Sequence, residues 1–365
     1  MPFPSFRRLV HRLGRSHATV SQASCDGLPA KTAMRTNAIT PMSASDGRRA
    51  TSAGARTTGL LAAVAFFVGP AAWAADRLHV IVDDAWSGAT GFHFSGRLVE
   101  RRVAGEGRRG PARVLYHNAR LLMTSGEEGF VTWRAAGHEW TTRVDDDGYW
   151  TLAMRPAPAF PAGWHEIETD PPRSSEAGLL VPDPANRIGL ISDFDDTLVV
   201  SHVLEKRTLL KNSLVVPPED REVVPGVADA CRRLLERNPA PEFAPVFYVS
   251  ASPKQLTDNL RALLRVNGFP RGVLRMKELS ETSEDSLTGE QLAYKRRTLE
   301  EIFRAFPDVR FALLGDDGEQ DPEIYAELRR KFPDQIEGVW IRRVHPDPER
   351  ARFADQKDLD DFLAQ

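Results

Sequence analysis

A chain of 365 residues with 41% apolar and 27% charged residues is too long for one hydrophobic core and too apolar to be disordered. The net charge is −3, yet residues 1–58 hold nine Lys/Arg against two acids and residues 59–75 hold no charge, leaving a body with 39 basic and 49 acidic residues. Such an acidic body offers no electrostatic footprint for nucleic acid, so that partner is not expected.

Residues 59–75 (GLLAAVAFFVGPAAWAA) are uncharged and mostly apolar, follow Arg56, and contain the small-x-small pattern Ala72-Trp73-Ala74. This resembles a secretory signal, with a basic region, a short apolar stretch and a cut site. The span is short for a membrane helix and Gly69-Pro70 interrupts it, so a retained anchor is the alternative. Met34 and Met42 are candidate starts, since the region before Arg56 is long for a signal. Residues 1–75 are therefore read as a leader, and the location as periplasmic or secreted. Cys25 falls in the leader and Cys231 in the body, which leaves the body without an internal disulfide. Cys231 is in phase with Val227, Ala230, Leu234 and Leu235, a helical stripe that implies a buried thiol rather than a reactive one.

Residues 76–182 show short alternating runs at 78–82, 92–99, 112–116, 130–134, 140–144 and 149–154, separated by Gly and Asp clusters. That rhythm predicts a small all-β sandwich. Asp147-Gly148 marks a turn, because glycine accepts positive φ. Asp145–Asp147 reads as a solvated turn rather than a calcium loop, since no EF-hand spacing follows. Trp133, Trp140, Trp150 and Trp164 read as core rather than as a binding platform. Pro171-Pro172 and the run Val181-Pro182-Asp183-Pro184 predict a stiff linker.

Residues 185–365 alternate apolar strands (188–192, 246–250, 273–276, 311–315, 338–341) with helical patterns (227–237, 253–266, 291–305, 322–331). This predicts an α/β unit with a parallel sheet and helices on both faces. The first strand stops at Asp193-Phe194-Asp195-Asp196-Thr197. In such sheets ligands bind beyond the carboxyl ends of the strands. Asp193 and Asp195, at alternate positions, are expected to point the same way and to suit phosphoryl transfer, one as nucleophile and one as acid and base. They also make hard oxygen ligands for Mg²⁺. The second strand ends at Ser250-Ala251-Ser252-Pro253, with a helix expected to start at once. The Ser250 hydroxyl and the backbone of Ala251 and Ser252 are candidates to hold phosphate there, a capping serine being the bland reading. Lys295 lies at +3 from Leu292 and −4 from Leu299, which turns its ammonium toward the buried face and an anion, or else to the rim as a snorkelling side chain. The fourth strand ends at Gly315-Asp316-Asp317-Gly318-Glu319-Gln320-Asp321. Asp316 would complete a metal's carboxylates, with Asp317 a candidate second ligand. Asp321 would either cap the next helix or orient metal-bound water. Four carboxylates in one cleft repel one another without a cation, and with no His/Cys cluster that cation is Mg²⁺ rather than zinc. Residues 198–224 are expected to form a flap or short helix over the cleft, with Lys206, Arg207 and Lys211 as candidates to reach anionic substrate or as a solvated face.

The order DFDDT, Ser250, Lys295, GDDGEQD resembles the haloacid-dehalogenase-like superfamily of aspartate-nucleophile phosphotransferases. The strings ISDFDDTLVVSHV, PPEDREVVPGV, FYVSASPKQL, GFPRG, YKRRTLEEIFRAFP and LLGDDGEQDPEIYAEL are similar to the catalytic domain of phosphatidate phosphatases related to the fungal actin-patch protein. The resemblance covers roughly residues 178–345 and implies a Rossmann-like sheet. By it, Asp193 is the nucleophile, and Asp195 is the acid and base and lends a backbone carbonyl to Mg²⁺. Thr197 supports the loop, Ser250 and Lys295 hold the phosphate, and Asp316 binds the metal. The family usually has Gly-Asp-Ser-Gly where this chain has Gly-Asp-Asp-Gly, so Asp317 stands in place of a serine. The implied function is Mg²⁺-dependent hydrolysis of a phosphomonoester, phosphatidate to diacylglycerol, with contact to a membrane surface through the substrate. The alternatives are a phosphatase for sugar phosphates or phosphoproteins, or a non-catalytic module that binds an anionic headgroup. Residues 198–224 and 277–289 are the places to look for an acyl-chain groove.

Overall fold

A computed structural model describes residues 77–101, 126–155, 159–173, 177–200, 220–278, 287–344 and 353–365. The leader with Cys25, the run at 112–116, Lys206, Arg207 and Lys211, and most of 277–289 lie outside the described residues.

The first part is built from β1 (Arg77–Val82), β2 (Ala85–Gly88), β3 (Gly91–Arg101), β4 (Gly129–Ala135), β5 (His138–Val144), β6 (Tyr149–Met154), β7 (Gly163–Asp170) and β8 (Gly178–Val181). These strands pair in one connected mixed sheet in the order β1-β3-β2-β8-β7-β4-β5. β3 carries β1 and β2 in succession along one edge and β6 along the other. The pairing is thus one curled mixed sheet joined through β7, and it does not confirm the sandwich expectation. β2 and β8 pair in parallel, a contact between residues far apart in the chain that no local alternation reveals. Inside the curl, Phe92 stacks on Trp133, and Trp133 on Trp140, with centroids 5.0 and 4.1 Å apart. Trp133 and Trp150 are buried and Trp140 and Trp164 partly so, which agrees with the core reading. The Asp147-Gly148 turn forms with φ +82° at Gly148, but the strand after it, β6, pairs with β3 rather than with β5.

The second part runs β9 (Ile188–Ser192), α1 (Val227–Leu235), β10 (Val246–Pro253), α2 (Thr257–Val266), β11 (Val273–Lys277), α3 (Leu287–Ala305), β12 (Arg310–Asp316), α4 (Asp321–Lys331), β13 (Ile336–Arg342), β14 (Gln356–Asp358) and α5 (Leu359–Leu363). Its six strands are parallel in the order β11-β10-β9-β12-β13-β14. All five residues of β9 are buried, as a central strand covered on both faces requires. Alternate residues serve opposite faces: Leu190, Tyr248 and Leu314 pack with α1, α2 and α5, while Ile191, Phe247 and Leu313 pack with α3 and α4. Cys231 is in the first of these cores, and burial pushes its thiol up to about 12. From β9 the chain moves to β10 and β11 on one side, then returns to β12 on the other. That reversal opens a crevice at the carboxyl end of β9.

One expected boundary shifts. β10 continues to Pro253, a 3₁₀ turn follows at Lys254–Leu256, and α2 begins only at Thr257. Pro253 therefore ends a strand instead of opening a helix. The two sheets also share a core: Trp86 and Leu180 of the first pack with Ile191, Phe247 and Leu299 of the second. The amide of Ala89 donates to the carbonyl of Ala305 at the end of α3, 2.7 Å away. Gly88 beside it tolerates this approach because it has no Cβ, which would otherwise sit 2.7 Å from the same oxygen.

Candidate active site

The site grows from two neighbouring strand tips. β9 and β12 run in register with Ser192 opposite Leu314, and the amide of Asp193 donates to the carbonyl of Leu314 at 2.9 Å. That one bond brings Asp193 to the tip of β12, where Asp316 is the last strand residue. The hydroxyl of Thr197 lies 3.4 Å from a carboxylate oxygen of each. Asp196 adopts φ +57°, a left-handed turn that folds the DFDDT segment back on itself. Its carbonyl accepts from Arg342 at 2.7 Å.

Asp193, Asp316 and Asp321 form a buried trio whose carboxylate oxygens lie within 4.8 Å of one another. Asp321 is the first residue of α4 and does not cap it; its carboxylate turns inward, accepts weakly from the amide of Asp316, and pairs with Lys295. Gly315 makes room for it, since a Cβ there would meet the Asp321 carboxylate at 2.6 Å. Lys295 reaches Asp193 at 2.8 Å with its side chain 5% exposed, so it faces the acids and not the rim. Asp317 is not part of the trio. It is buried, but its carboxylate turns toward the segment after β13 and accepts from the amide of Val344 at 2.7 Å. The expectation of Asp317 as a metal ligand finds no support in its orientation.

Three carboxylates beside one ammonium leave excess negative charge in a dry site. Burial raises the Asp193 carboxyl well above its ordinary range, against the pull of Lys295 and helped by Asp321 and Asp316. Burial, with Asp321 next to it, pushes Asp316 up to about 8. Burial works against the charge on Lys295, but Asp193 and Asp321 outweigh it and hold the ammonium above its usual value. Full ionisation of the trio therefore calls for a second cation. Clustered hard carboxylate oxygens without nitrogen or sulfur ligands suit a divalent ion of the magnesium kind.

On the other flank of β9 the chemistry changes. Asp195 accepts from Ser252 Oγ at 2.9 Å and lies 3.4 Å from Ser250 Oγ. The Ser252 amide donates to Ser250 Oγ at 3.0 Å, and Ala251 sits between them. Asp193 and Asp195 thus share the mouth of the crevice but turn to different neighbours, one toward β12 and one toward β10. The serines do not cap α2, whose capping position is Leu256. Arg221, which lies in the PPEDREVVPGV string but is given no role by it, joins this flank. Its guanidinium lies 3.3 Å from Asp195 and 5.8 Å from the ring centre of Phe194. It arrives because 222–224 fold back on 198–200, with Val200 N donating to Glu222 O and Val224 N to Leu198 O, each at 2.9 Å. No periodicity marks that return; a lone arginine before a helix carries no local signal.

Residues 188–343 match the family model described as the catalytic domain of phosphatidate phosphatase APP1. The chain is 30% identical over 202 residues to phosphatidate phosphatase APP1 of Saccharomyces cerevisiae, covering 54% of this chain and 34% of that one. It is 31% identical over 163 residues to an uncharacterized protein of Schizosaccharomyces pombe, covering 44% and 26%. The chain thus spans about a quarter to a third of the length of these relatives. A carbohydrate acetylesterase structure from Xanthomonas citri aligns at 12% identity over 73% of this chain and 68% of that one, with a TM-score of 0.25, too slight a likeness to bear on fold or function. The parallel-sheet part of the chain is thus similar to the phosphatidate phosphatase catalytic domain to which its motifs pointed.

Proposed function

We propose that this chain is a Mg²⁺-dependent phosphatase of the haloacid-dehalogenase-like type, acting on a phosphomonoester through an aspartyl-phosphate. The observation that carries the reading is the buried ammonium of Lys295, 2.8 Å from Asp193, at the meeting of two acid-tipped strands. Asp193 would attack phosphorus while the ester P–O bond breaks, and Asp195 would give its proton to the leaving alkoxide. Asp195 would then take a proton from water as that water attacks the acyl phosphate and the Asp193 carboxylate leaves. Lys295 would orient Asp193 and balance charge on the phosphoryl oxygens, while Ser250 and Ser252 would exchange their bonds to Asp195 for bonds to phosphate. The residues that would hold the ion are Asp193 and Asp316, with the Asp195 backbone carbonyl, and Asp321 behind them. Bound there, Mg²⁺ would supply charge neutralisation at the transferring group.

Phosphatidate is the proposed substrate, with diacylglycerol as product and a membrane surface as the place of encounter. The relative from Saccharomyces cerevisiae that is named a phosphatidate phosphatase supports this choice. Export to the periplasm or medium is proposed from the leader at 1–75. The test is phosphate release by residues 76–365 from phosphatidate in mixed micelles beside a panel of soluble monoesters, with Mg²⁺. Asp193→Asn is expected to fold and to lose activity by about 10⁴-fold or more, on the scale of other lost nucleophiles. Undiminished turnover in that variant would falsify the assignment.

A further inference from the structure

We propose that Asp83, in the first sheet's part of the chain, is a positioning residue for the candidate phosphate-holding segment Ser250–Ser252, acting through Lys254. The inference rests on the reading of Ser250 and Ser252 as the phosphate side of the site. The parallel ladder between β10 and β11 is regular as far as Ser250 opposite Met276, then slips, with Pro253 opposite Lys277. Ala251 and Ser252 lie in that irregularity, which re-aims their side chains but takes them out of regular pairing. Within the segment Ser252 is held by Asp195 and by Ser250 Oγ, and its path is fixed further by its flanks. The flank on the chain's far side is Lys254, a lysine 1% exposed. Its ammonium does not face the crevice. It lies 2.9 Å from Asp83 and 3.0 Å from Glu278, and 5.6 Å from the ring centre of Tyr149.

Asp83 is itself built into place. One carboxylate oxygen accepts from Ser95 Oγ at 2.7 Å, and the side chain is buried. Asp84 next to it takes the amide of Gly178 at 2.9 Å and the guanidinium of Arg261, on α2, at 3.2 Å. A second tie holds the helix that carries Lys295: His93, stacked on Trp86, contacts Glu301 at 2.8 Å, and Arg275 meets the same carboxylate group at 3.3 Å. The first sheet therefore grips the elements behind both the serines and the lysine of the site, and the Asp83–Lys254 pair is the tie nearest the serines. A buried ion pair adds little to net stability against apolar replacement, but it fixes one geometry, and removing one partner strands a charge.

The experiment uses the whole chain with Mg²⁺ and compares Asp83→Asn, Lys254→Met and the double variant. Three quantities are read: melting temperature, affinity for inorganic phosphate measured by calorimetry and as inhibition of turnover, and amide exchange at 251–256. Each single variant is expected to exchange faster at 251–256 and to bind phosphate about tenfold or more weakly, with KM raised more than kcat is lowered, as displaced binding groups require. Where the single variants melt too low to assay, the double variant decides, since it leaves no buried charge unpaired, Glu278 being 45% exposed. It is expected to regain melting temperature while phosphate affinity and exchange stay altered. Recovery of all three in the double variant, or wild-type affinity and exchange in folded single variants, would overturn the proposal. If the wild-type chain releases phosphate from no monoester, the functional reading falls by itself, and exchange at 251–256 still decides this inference.

Discussion

The two strand tips that flank β9 carry opposite chemistry. On the β12 side acids dominate, with Lys295 and the Thr197 hydroxyl beside them: Asp193, Asp316 and Asp321 crowd within 4.8 Å and are buried. On the β10 side the groups are hydroxyls and a cation, with Ser250, Ser252 and Arg221 gathered on the single carboxylate of Asp195. On the proposed reading one flank would receive positive charge and the other an anion. A phosphomonoester with a divalent ion meets both needs at once. The lesson is that charge is sorted by strand, and that β9 sits on the border between the two.

The largest effect is expected where the acidic flank loses its internal cation. Lys295→Met leaves Asp193 and Asp321 buried without their partner. Breaking a buried pair in this way costs about 3–5 kcal/mol, so denaturant unfolding should shift strongly and turnover should vanish. A variant with wild-type stability and rate would show that the ammonium is incidental.

The next effect concerns the acids themselves. Asp316 is held up to about 8 in the folded chain, against about 3.9 for an unfolded aspartate. A raised carboxyl keeps a proton on folding, so its stabilising contribution is full below about pH 4 and is lost as pH rises through about 8. Asp193 is shifted in the same direction. Metal-free protein should therefore melt progressively lower as pH is raised across this window. Saturating Mg²⁺ should reverse the trend, by about 2.7 kcal/mol at a hundredfold excess over Kd. A melting temperature indifferent to Mg²⁺ at alkaline pH would separate the trio from any metal.

The smallest effect belongs to the hydroxyl flank. Ser252→Ala removes one hydrogen bond to a charged group, worth about 1.5–3 kcal/mol. It should lower kcat/KM about tenfold or somewhat more while leaving Mg²⁺ dependence alone. Asp316→Asn should do the reverse, changing the Mg²⁺ requirement first. If each variant disturbed both quantities equally, the division between flanks would be false.

Much of the catalytic part is legible in the order of its residues. Apolar runs of strand length that stop at Asp193 and Asp316 announce the strand ends, because a strand buried on both faces has little choice but to be apolar throughout, whereas β10 runs past Ser250 to Pro253. The helical phase of Lys295 against Leu292 and Leu299 points it to the buried face or the rim, and the fold turns it inward. Other features need the fold. Asp321 reads equally well as a cap until α4 is seen to begin at that residue with its carboxylate turned to the trio. Asp317 looks like a ligand because it adjoins Asp316, yet neighbours at a strand tip diverge, and its oxygen goes to Val344. The helix expected at Pro253 begins at Thr257, since pairing with β11 carries β10 past the proline's usual place at a helix start.

By itself the sequence determined the alternation of strand and helix, the acids and lysine of the candidate site, and the likeness of residues 188–343 to a phosphatidate phosphatase catalytic domain, because these are written in local runs and spacings. Only the tertiary structure decided which acids meet, where Arg221 lands, and that Asp83 and His93 of the first sheet reach the elements behind the site. Those contacts join residues tens to more than two hundred positions apart. Their partners are chosen by the closing of a core around Trp86, Ile191 and Phe247 and not by any neighbour in the chain.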